Sequence, residues 1–424
     1  SWMQRKKIAI IGLGYVGLPL AIEFGKKRNV VGFDIDRKRV HALKEGVDDT
    51  LEITSQELKR TKNIVFTSKL TDISECSIFI ITVPTPVNLD KGPNLSPLVI
   101  ASEMVGGILK AGDLVIYEST VYPGATEEVC IPILEKTSNL VINKDFSCGY
   151  SPERINPGDK DRHVTSIIKV TSGSSETASK EVDELYKEII KAGTHLAESI
   201  KIAEASKVIE NTQRDLNIAF INQLSIILNK LDIDTESVLK AAGTKWNFIP
   251  FRPGLVGGHC IGVDPYYLIH KSKEVGYVPE LILSARKINE HMAEHLTNQV
   301  LDLMKGKGIK LADANILIMG FAFKENCPDI RNTRIVEVFK NFKSLGCNVD
   351  IFDPCVSALE VKKEYKIDLI TRPKTGKYDA IILTLAHDEF RKYSLNSLKK
   401  LAKRNHVLFD VKYIFDKKFV DGRL

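Results

Sequence analysis

Several features that define other protein classes are scarce in this sequence. No apolar run approaches the roughly 20 residues that a membrane-spanning helix requires. The first residues lead directly into an apolar strand and lack the apolar core and small-residue cleavage site of a signal peptide. The sequence therefore predicts a protein without a membrane span, and we expect it in the cytoplasm.

Cysteine is sparse as well. The chain has 7 cysteines in 424 residues, and their spacing matches neither a paired metal motif nor a secreted disulfide framework. We therefore expect reduced thiols and no bound metal. The net charge of +6 is small for this length, and the basic residues are interspersed with acidic ones. This pattern argues against a nucleic-acid partner and favours a small anionic ligand.

A glycine motif follows the first strand-like run, Lys7–Ile11. Gly12, Gly14 and Gly17 form Gly-x-Gly-x-x-Gly, and a helix-like segment then leads to a second strand that ends at Asp34. In this context the glycines permit a tight turn, close approach of a pyrophosphate and close packing of helix on strand. An acidic residue about 20 positions after the motif accepts ribose hydroxyls and repels a 2′-phosphate. The pattern predicts a Rossmann site for NAD.

Other candidates for contact with the cofactor lie on the same loop and at later strand ends. They are Tyr15, Val16, Arg39, Thr85, Ser119 and Thr120. Ligands of open parallel sheets bind beyond the carboxyl ends of the strands, where the last three of these residues are expected. Ordinary turn residues are the alternative for each of those three. For Arg39 the alternatives are a position over the adenosine and a solvated surface charge.

A glycine-rich loop surrounds one cysteine, Cys260. The loop contains Gly254, Gly257, Gly258 and Gly262 and is followed by Asp264. Glycines let the backbone approach a ligand closely, whereas a structural cysteine normally lies among large apolar side chains. Composition alone leaves two interpretations open, a nucleophilic thiol and an ordinary packed cysteine.

A helical pattern extends from about residue 198 to residue 231 without Pro or Gly. The residues expected on its buried face are Ile202, Ala205, Ile209, Leu216, Ala219, Phe220 and Leu224. Lys207, Asn211, Arg214 and Asp215 share another side, for which a solvated face is the ordinary interpretation. We expect this helix to connect domains and to form a dimer surface. A second helical stretch covers residues 280–304.

Strand and helix patterns alternate again after this second helical stretch. The predicted strands cover residues 315–320, 347–353, 378–384 and 406–410, and the first of them is not followed by Gly-x-Gly-x-x-Gly. The predicted fold class is therefore α/β, with two Rossmann-like doubly wound parallel sheets joined by a long central helix and a helical domain. Lys324, Arg331 and Lys412 lie near strand ends, where they are candidates to bind a diphosphate.

Seven motifs in order carry a family resemblance. They are Gly12-x-Gly-x-x-Gly17, Thr82–Pro86, Glu118–Val121, Ser151–Ile155, Lys207-x-x-x-Asn211, Gly257–Cys260 with Asp264, and Gly320-x-x-Phe-Lys324 through Arg331. With these motifs the sequence resembles the UDP-glucose/GDP-mannose dehydrogenase family over essentially its whole length. Val263 stands where the UDP-glucose branch has Lys, so the sequence is most similar to the branch that acts on UDP-N-acetylhexosamines.

The resemblance implies a function and a domain organisation. Family members oxidise C6 of the sugar twice with two NAD⁺, which implies formation of an N-acetylhexosaminuronate for a surface polysaccharide such as a capsule or O-antigen. UDP-GlcNAc and UDP-GalNAc both satisfy the pattern. The implied domains are 1–197 for NAD binding, 198–304 for a central helical, dimerisation and catalytic domain, and 305–424 for UDP-sugar binding.

The resemblance also implies residue roles. Cys260 forms a thiohemiacetal and then a thioester, because a thiolate is both a nucleophile and a tolerable leaving group. Lys207 acts in acid–base steps, and Asn211 stabilises an oxyanion. Water is handled by Asp264, Glu153 and Thr120. The implied substrate contacts are Arg154, Ile155, Lys207, Asn211, Arg214, Gly257, Phe323, Lys324, Arg331 and Lys412, with Arg252 or Lys245 replacing the Arg that relatives carry where Trp246 stands.

Three other functions remain as alternatives. A UDP-glucose or UDP-ManNAc 6-dehydrogenase would use the same machinery on another sugar. A two-electron hydroxyacid dehydrogenase also joins a Rossmann domain to a helical one, but it needs neither the Cys260 loop nor a third domain. A catalytically inactive sugar-nucleotide sensor would be favoured by the loss of Cys260 or Lys207, and the sequence keeps both.

Overall fold

The computed structural model describes residues 6–156, 159–258 and 260–424. Its internal contacts divide the chain into two units, one comprising residues up to Glu210 with Tyr266–Val278, and the other comprising Asn211–Pro265 with Pro279–Leu424. Residues 198–304 are thus shared between the two units, and the division 1–197, 198–304 and 305–424 stays a prediction. Within the described part, no helix has the length and hydropathy needed to cross a bilayer.

The first unit contains a six-stranded parallel sheet. Its strands are β1 (Ile8–Ile11), β2 (Val30–Phe33), β3 (Ile64–Thr67), β4 (Ile78–Ile81), β5 (Leu114–Tyr117) and β6 (Ser147–Tyr150). They lie in the order β3-β2-β1-β4-β5-β6, which is the Rossmann order. β1, β2, β4 and β5 are buried at every position and consist largely of Val, Ile, Leu and Phe. Such apolar runs are typical of parallel strands covered on both faces.

Helices and a second, smaller sheet complete this unit. The helices are α1 (Gly17–Gly25), α2 (Arg37–Lys44), α3 (Ser55–Arg60), α4 (Ser96–Ile108), α5 (Ile131–Ser138) and α6 (Glu176–Lys187). A π-helical turn, Thr126–Cys130, precedes α5. The smaller sheet pairs β7 (Lys169–Thr171) with β8 (Thr194–Leu196) in parallel. The sequence did not predict β3, β7 or β8.

Helix α7 (Ile200–Lys230) confirms the long helical prediction, but of the residues predicted for its buried face only Ala219 is buried. Ile202, Ile209 and Phe220 are 48%, 54% and 57% exposed. The face turned inward includes Ala203, Glu204, Lys207, Val208, Thr212, Asp215, Ala219 and Asn222. Hydrophobic periodicity identifies an apolar face but does not show whether that face is buried. In α7 the buried face instead carries several polar side chains.

The second unit is built on a five-stranded parallel sheet. Its strands are β9 (Asn315–Met319), β10 (Asn348–Phe352), β11 (Tyr378–Leu383), β12 (Ala402–Asp410) and β13 (Gly422–Arg423). Their order is β10-β9-β11-β12-β13, so two doubly wound parallel sheets are confirmed. The remaining helices are α8 (Thr235–Ala242), α9 (Asp264–Glu274), α10 (Glu280–Gly306), α11 (Ile335–Ser344), α12 (Ala358–Tyr365), α13 (Asp388–Arg391) and α14 (Leu395–Leu401).

The same type of glycine turn follows β1 in the first sheet and β9 in the second. Gly12 follows β1 with φ +101°, and Gly320 follows β9 with φ +117°. The Thr82 hydroxyl donates to the Gly12 carbonyl at 2.6 Å, and the Thr384 hydroxyl donates to the Gly320 carbonyl at 2.7 Å. Each turn is therefore fixed by a threonine at the end of the neighbouring strand.

Candidate functional site

The glycine loop of the first unit has the shape that a dinucleotide needs. A Cβ atom at Gly17 would lie 1.7 Å from the Gly12 carbonyl oxygen, so no larger residue fits there. A Cβ atom at Gly14 would meet nothing within 4 Å. Val16 precedes α1 without a side-chain cap, with Tyr15 partly buried beside it. Uncapped N–H groups at a helix N-terminus attract a pyrophosphate, and the loop therefore fits NAD.

Asp34 and Arg39 are both tied to this loop. The Asp34 carboxylate accepts a hydrogen bond from the Leu13 N–H at 2.9 Å, and Arg39 Nε donates to the Leu13 carbonyl at 2.8 Å. Arg39 Nη1 also donates to buried Asp48 at 2.9 Å. These two hydrogen bonds hold the Arg39 side chain against the glycine loop. Asp48 was missed by sequence reasoning because its position carries no motif.

The predicted hydroxyl residues at the ends of β4 and β5 are brought together. Thr85 Oγ1 donates to the Thr120 carbonyl at 2.5 Å, and Ser119 Oγ donates to the Val83 carbonyl at 2.6 Å. The Tyr267 hydroxyl donates to the Thr85 carbonyl at 2.7 Å. These bonds join the two strand ends into one surface, and contact with the cofactor stays a prediction for Thr85, Ser119 and Thr120.

Glu153 lies in a buried loop after β6. Its Oε1 atom accepts the N–H groups of Arg154 at 2.7 Å and Ile155 at 2.9 Å. Its Oε2 atom is buried and has no hydrogen-bond partner among the described residues. One carboxylate oxygen is thus fixed by backbone, while the other remains able to accept a hydrogen bond.

Arg154 and Ile155 point to different surroundings. Arg154 Nε lies 3.0 Å from a Glu210 carboxylate oxygen, and Arg154 Nη1 donates to the Ile168 carbonyl at 2.8 Å. Ile155 packs against the apolar core of the first unit. The guanidinium is therefore paired with an acid of α7, and a substrate contact would have to use its remaining donors.

Lys207 is buried on α7, close in sequence to a second buried charge. Among the residues that the structure describes, its ammonium forms no ion pair. Glu204, one turn earlier, accepts hydrogen bonds from the Gly124 N–H at 2.9 Å and the Thr126 N–H at 3.0 Å. Burial raises the pKa of Glu204 to about 7, although these hydrogen bonds oppose the rise. Glu204 thus fixes α7 to the segment that follows Thr120.

In the second unit the structure brings together Cys260, Asp264 and Asn211. The Asn211 amide donates to the Asp264 carboxylate at 2.5 Å, and the Asp264 N–H donates to the Cys260 carbonyl at 2.8 Å. Asp264 is buried, whereas Cys260 is partly exposed. The three predicted catalytic residues of this unit therefore form one cluster. His259, which belongs to the same motif, lies outside the described residues.

The glycines before Cys260 allow close packing on the loop after β9. A Cβ atom at Gly257 would lie 2.6 Å from the Asn332 carbonyl oxygen. Gly258 has φ +83°, and a Cβ atom there would lie 2.8 Å from the Phe323 ring. Backbone alone fits between these groups, and it is Gly258 that packs on Phe323, whereas Gly257 packs on the backbone at Asn332.

A chain of buried polar side chains holds the Cys260 loop at its leading end. At the leading end, Asn222 accepts from the Gly254 N–H at 2.9 Å and donates to its carbonyl at 3.1 Å. Asn222 also donates to Asn289, which donates to Asp215 at 2.7 Å. Sequence reasoning missed Asn222 and Asn289, because a single polar residue in a helical pattern is normally assigned to solvent.

The three candidate diphosphate ligands lie on loops of the second unit, and two of them face acids. Arg331 Nε donates to Asp329 at 3.0 Å, and Arg331 Nη2 donates to the same carboxylate at 2.6 Å. Lys412 Nζ lies 3.6 Å from a Glu325 carboxylate oxygen, and Lys324 is partly exposed. An incoming diphosphate would therefore compete with or rearrange these pairs.

Arg214 and Arg252 lie on separate elements. Arg214 is exposed on α7 with its guanidinium 5.8 Å from the centre of the Phe251 ring. Arg252 Nε pairs with Glu236 at 2.7 Å. Trp246, which replaces an Arg of related sequences, is 92% exposed.

One group of three potential metal ligands occurs in the described part of the chain: Asp353, Cys355 and His387. His387 Nδ1 accepts the Asn326 N–H at 2.9 Å, so the ring proton is on Nε2, which lies 3.0 Å from Asp353. A metal-binding histidine normally donates from the nitrogen that does not hold the metal. Asp353 also accepts the Phe321 N–H at 2.6 Å. The proximity of these three residues is therefore explained by hydrogen bonds that hold the loops after β9, β10 and β11 together.

Three sequence profiles of one family match the chain in order. They are the NAD binding domain of the UDP-glucose/GDP-mannose dehydrogenase family over residues 6–190, its central domain over residues 201–291 and its UDP binding domain over residues 317–417.

Individual relatives agree over the full length. The UDP-N-acetyl-D-glucosamine 6-dehydrogenase of Pseudomonas aeruginosa is 57% identical over 422 residues, which cover 100% of both chains. Protein CapL of Staphylococcus aureus is 48% identical and covers 97% of both chains. The solved structure of a UDP-D-ManNAc dehydrogenase from Pyrococcus horikoshii matches with a TM-score of 0.89 at 29% identity, covering 98% of both chains.

Proposed function

This chain belongs to the UDP-glucose/GDP-mannose dehydrogenase family, and from that membership we propose that it is an NAD-dependent 6-dehydrogenase of UDP-N-acetylhexosamines. The observation that carries the proposal is 57% identity, over the whole chain, to a relative named as a UDP-N-acetyl-D-glucosamine 6-dehydrogenase. That relative favours UDP-GlcNAc over UDP-GalNAc as the substrate. The product is the corresponding UDP-N-acetylhexosaminuronate, which serves as a precursor of a surface polysaccharide such as a capsule or O-antigen.

NAD is the cofactor of this reaction, and when bound it accepts a hydride from C6 in each of two oxidation steps. The open position above Gly14 and the uncapped start of α1 support pyrophosphate binding at the glycine loop. The Asp34 carboxylate accepts one hydrogen bond from the Leu13 N–H, and it can accept further hydrogen bonds from the ribose hydroxyls. Arg39, held by Asp48, borders the same loop.

The second oxidation needs a covalent intermediate on the protein. The Cys260 thiolate adds to the C6 aldehyde to give a thiohemiacetal, whose oxidation gives a thioester that water cleaves to the carboxylate and the free thiol. Asn211 and Lys207 stabilise negative charge on the C6 oxygen. The bond between Asn211 and Asp264 supports this role, since it fixes the amide beside the Cys260 loop. Asp264, Glu153 and Thr120 handle the water.

We assign the remaining candidates to the substrate. Lys324, Arg331 and Lys412 serve the diphosphate, because each is a basic residue on a loop of the second sheet's unit. Gly257 and Phe323 also contact the nucleotide sugar, and Gly258, between Gly257 and His259 in the sequence, packs on the Phe323 ring. Arg154, Ile155, Arg214 and Arg252 contact the sugar or its phosphates.

We propose three functional domains: NAD binding in residues 1–197, catalysis and dimerisation in 198–304 and UDP-sugar binding in 305–424. The homodimer forms through α7, since Ile202, Ile209 and Phe220 leave an apolar stripe exposed along it. The reaction takes place in the cytoplasm, where thiols stay reduced, and none of the seven cysteines, all of them described residues, forms a disulfide.

UDP-ManNAc is the second candidate substrate, favoured by the 0.89 TM-score to the Pyrococcus horikoshii UDP-D-ManNAc dehydrogenase. A panel of UDP-Glc, UDP-GlcNAc, UDP-GalNAc and UDP-ManNAc with NAD⁺ tests the proposal, with NADH and sugar product both quantified. We expect UDP-GlcNAc to give the highest kcat/KM, with two NADH formed per uronate. One NADH per sugar would contradict the double oxidation, and a preference for UDP-ManNAc or UDP-Glc would replace the substrate assignment.

A further inference from the structure

We propose that Glu204 is a positioning residue that fixes Thr120 relative to Lys207, by accepting hydrogen bonds from the segment after Thr120 with both carboxylate oxygens. The inference rests on the proposed function, in which Thr120 handles water and Lys207 stabilises charge on the C6 oxygen. Glu204 belongs to none of the seven motifs, so sequence reasoning assigned it no role.

The segment after Thr120 forms a tight turn. The Ala125 N–H donates to the Tyr122 carbonyl at 3.1 Å, and Gly124 has φ +101°. Pro123 and Gly124 are its central residues, and Pro followed by a residue with positive φ is the pattern of a type II turn. The hydrogen bond that closes such a turn does not use the N–H of the second central residue. The Gly124 N–H therefore needs an acceptor from another part of the chain.

Glu204 supplies this acceptor and also caps the helical turn that follows. It is completely buried on α7, and its Oε1 atom accepts the Gly124 N–H at 2.9 Å. Its Oε2 atom accepts the Thr126 N–H at 3.0 Å and the Thr126 hydroxyl at 2.9 Å. Ala125 precedes the π-helical turn without a side-chain cap of its own. A carboxylate from α7 thus takes the place of a local cap, and hydrogen bonds to a carboxylate are stronger than neutral ones.

The other end of the segment is held as well. Thr85 Oγ1 donates to the Thr120 carbonyl at 2.5 Å, and the two residues after Thr120 are buried. Lys207 is also buried and lies one turn after Glu204 on α7. Both elements belong to the first unit. The hydrogen bonds of Glu204 therefore set the position of the Thr120 segment relative to the part of α7 that carries Lys207.

The charge of Glu204 changes near neutral pH. Burial raises the pKa of Glu204 to about 7, and Glu127 of the π-helical turn, which bears the same charge, raises it further. Cys130 of that turn stays a neutral thiol, because burial raises its pKa to about 12. Both oxygens of ionised Glu204 accept hydrogen bonds. After protonation one oxygen carries a hydrogen of its own, which competes with the donors at that oxygen.

The test measures the single-turnover rate of uronate formation from UDP-GlcNAc between about pH 6 and about pH 8.5, with full-length enzyme and NAD⁺ in excess. Glu204→Gln resembles the protonated carboxyl group, since it has one acceptor oxygen and one donor group. Glu176→Gln is the matched control, because Glu176 forms an exposed pair with Lys180 on α6 of the same unit. A partly unfolded sample leaves the rate constant unchanged while folded enzyme remains in excess.

We expect Glu204→Gln to react about tenfold more slowly than wild type at the alkaline end, because its amide cannot accept hydrogen bonds from both ends of the turn and Thr120 moves. The ratio of the wild-type rate constant to that of Glu204→Gln should fall toward one as pH decreases through about 7, where wild-type Glu204 becomes protonated. Glu176→Gln should match wild type at every pH.

Thr126→Val keeps the test decisive if Glu204→Gln does not fold. The change removes the hydroxyl that lowers the pKa of Glu204 and keeps the carboxylate. The pH at which the rate falls should therefore move upward by about half a unit or more relative to wild type.

A ratio that has the same value at every pH would overturn the inference, whether that value is one or larger, because the rate would then be independent of Glu204 protonation. If Glu204→Gln does not fold, an unchanged midpoint in Thr126→Val would overturn it. Wild-type enzyme that forms no uronate from any of the four UDP-sugars would contradict the proposed function instead. The wild-type reaction therefore distinguishes the two failures.

Discussion

Arg286 holds Asp215 in a buried two-donor ion pair, with Nε at 2.7 Å and Nη2 on the other carboxylate oxygen. The same guanidinium donates to the Gly262 carbonyl at 3.3 Å, at the trailing end of the Cys260 loop. The leading end is held by the reciprocal bonds between Asn222 and Gly254. Polar contacts from α7 and α10, rather than apolar packing alone, therefore set the shape of the loop around the candidate nucleophile.

Arg286→Met should destabilise the protein strongly. The change leaves Asp215 charged and buried without its partner, which costs about 3–5 kcal/mol in comparable cases. Urea denaturation of wild type and variant measures the loss. Lys180→Met, which removes an exposed pair, should cost about 1 kcal/mol or less. Equal losses in the two variants would contradict the importance assigned to the buried pair.

Cys260→Ser should abolish uronate formation and leave NAD binding intact. A serine hydroxyl is a poor nucleophile at neutral pH and does not form the thioester on which the second oxidation depends. Product analysis by mass spectrometry and NAD titration by fluorescence check the two statements. Cys355→Ser is the control, because Cys355 is also partly exposed and lies outside the candidate cluster. Normal uronate output from Cys260→Ser would exclude the covalent route.

Gly17→Ala should weaken NAD binding by about tenfold or more, equivalent to about 1.4 kcal/mol. The added methyl would overlap the Gly12 carbonyl oxygen, 1.7 Å away, and would force the glycine loop to move. Gly107→Ala in α4 is the matched change, since a Cβ atom there meets nothing within 4 Å. We expect Gly107→Ala to bind NAD normally, and equal affinity in both variants would show that the loop is not the pyrophosphate site.

His295 should make stability depend on pH between about pH 7 and pH 5. Burial lowers the pKa of His295, and nearby His291 and Lys230 lower it further. Its Nε2 atom lies 3.3 Å from the Asn229 amide nitrogen, which suits the neutral ring. A depressed folded-state pKa gives stability that is present above the unfolded pKa of about 6.5 and is lost as pH falls through the folded value.

The measurement is the shift of the denaturation midpoint between pH 7.5 and pH 5.5. His295→Gln should reduce this shift, because the variant lacks the group that must stay neutral. His291→Gln, one helix turn earlier and half exposed, should keep most of it. A shift of the same size in His295→Gln and wild type would assign the pH dependence to other groups.

Sequence reasoning succeeded where the chemistry is local in the chain. Gly12, Gly14 and Gly17 have a fixed spacing between a strand and a helix, so their turn is specified by neighbouring residues alone. The apolar runs of both sheets gave the parallel strands for the same reason. Cys260 and Asp264 are likewise four residues apart, and their cluster was predictable.

The remainder depends on partners distant in sequence. Lys169 lies 51 positions from Glu118, and nothing in its apolar neighbourhood indicates a buried ion pair. Asp48 and Asn289 were missed for the same reason. On α7, Ile209 and Phe220 were predicted to be buried and are exposed, since hydrophobic spacing does not show what covers a helix face.

The matching turns after β1 and β9 bear on the origin of the chain. Asp34 follows β2 and accepts from Leu13, and Asp353 follows β10 and accepts from Phe321, so the correspondence extends beyond the glycine and the threonine. Such a repeated plan is the trace that duplication of one ancestral unit would leave. In the second unit His387 Nε2 lies 3.0 Å from the Asp353 carboxylate, which leaves this carboxylate less free than that of Asp34 to accept ribose hydroxyls. Each polypeptide should then saturate with a single equivalent of coenzyme.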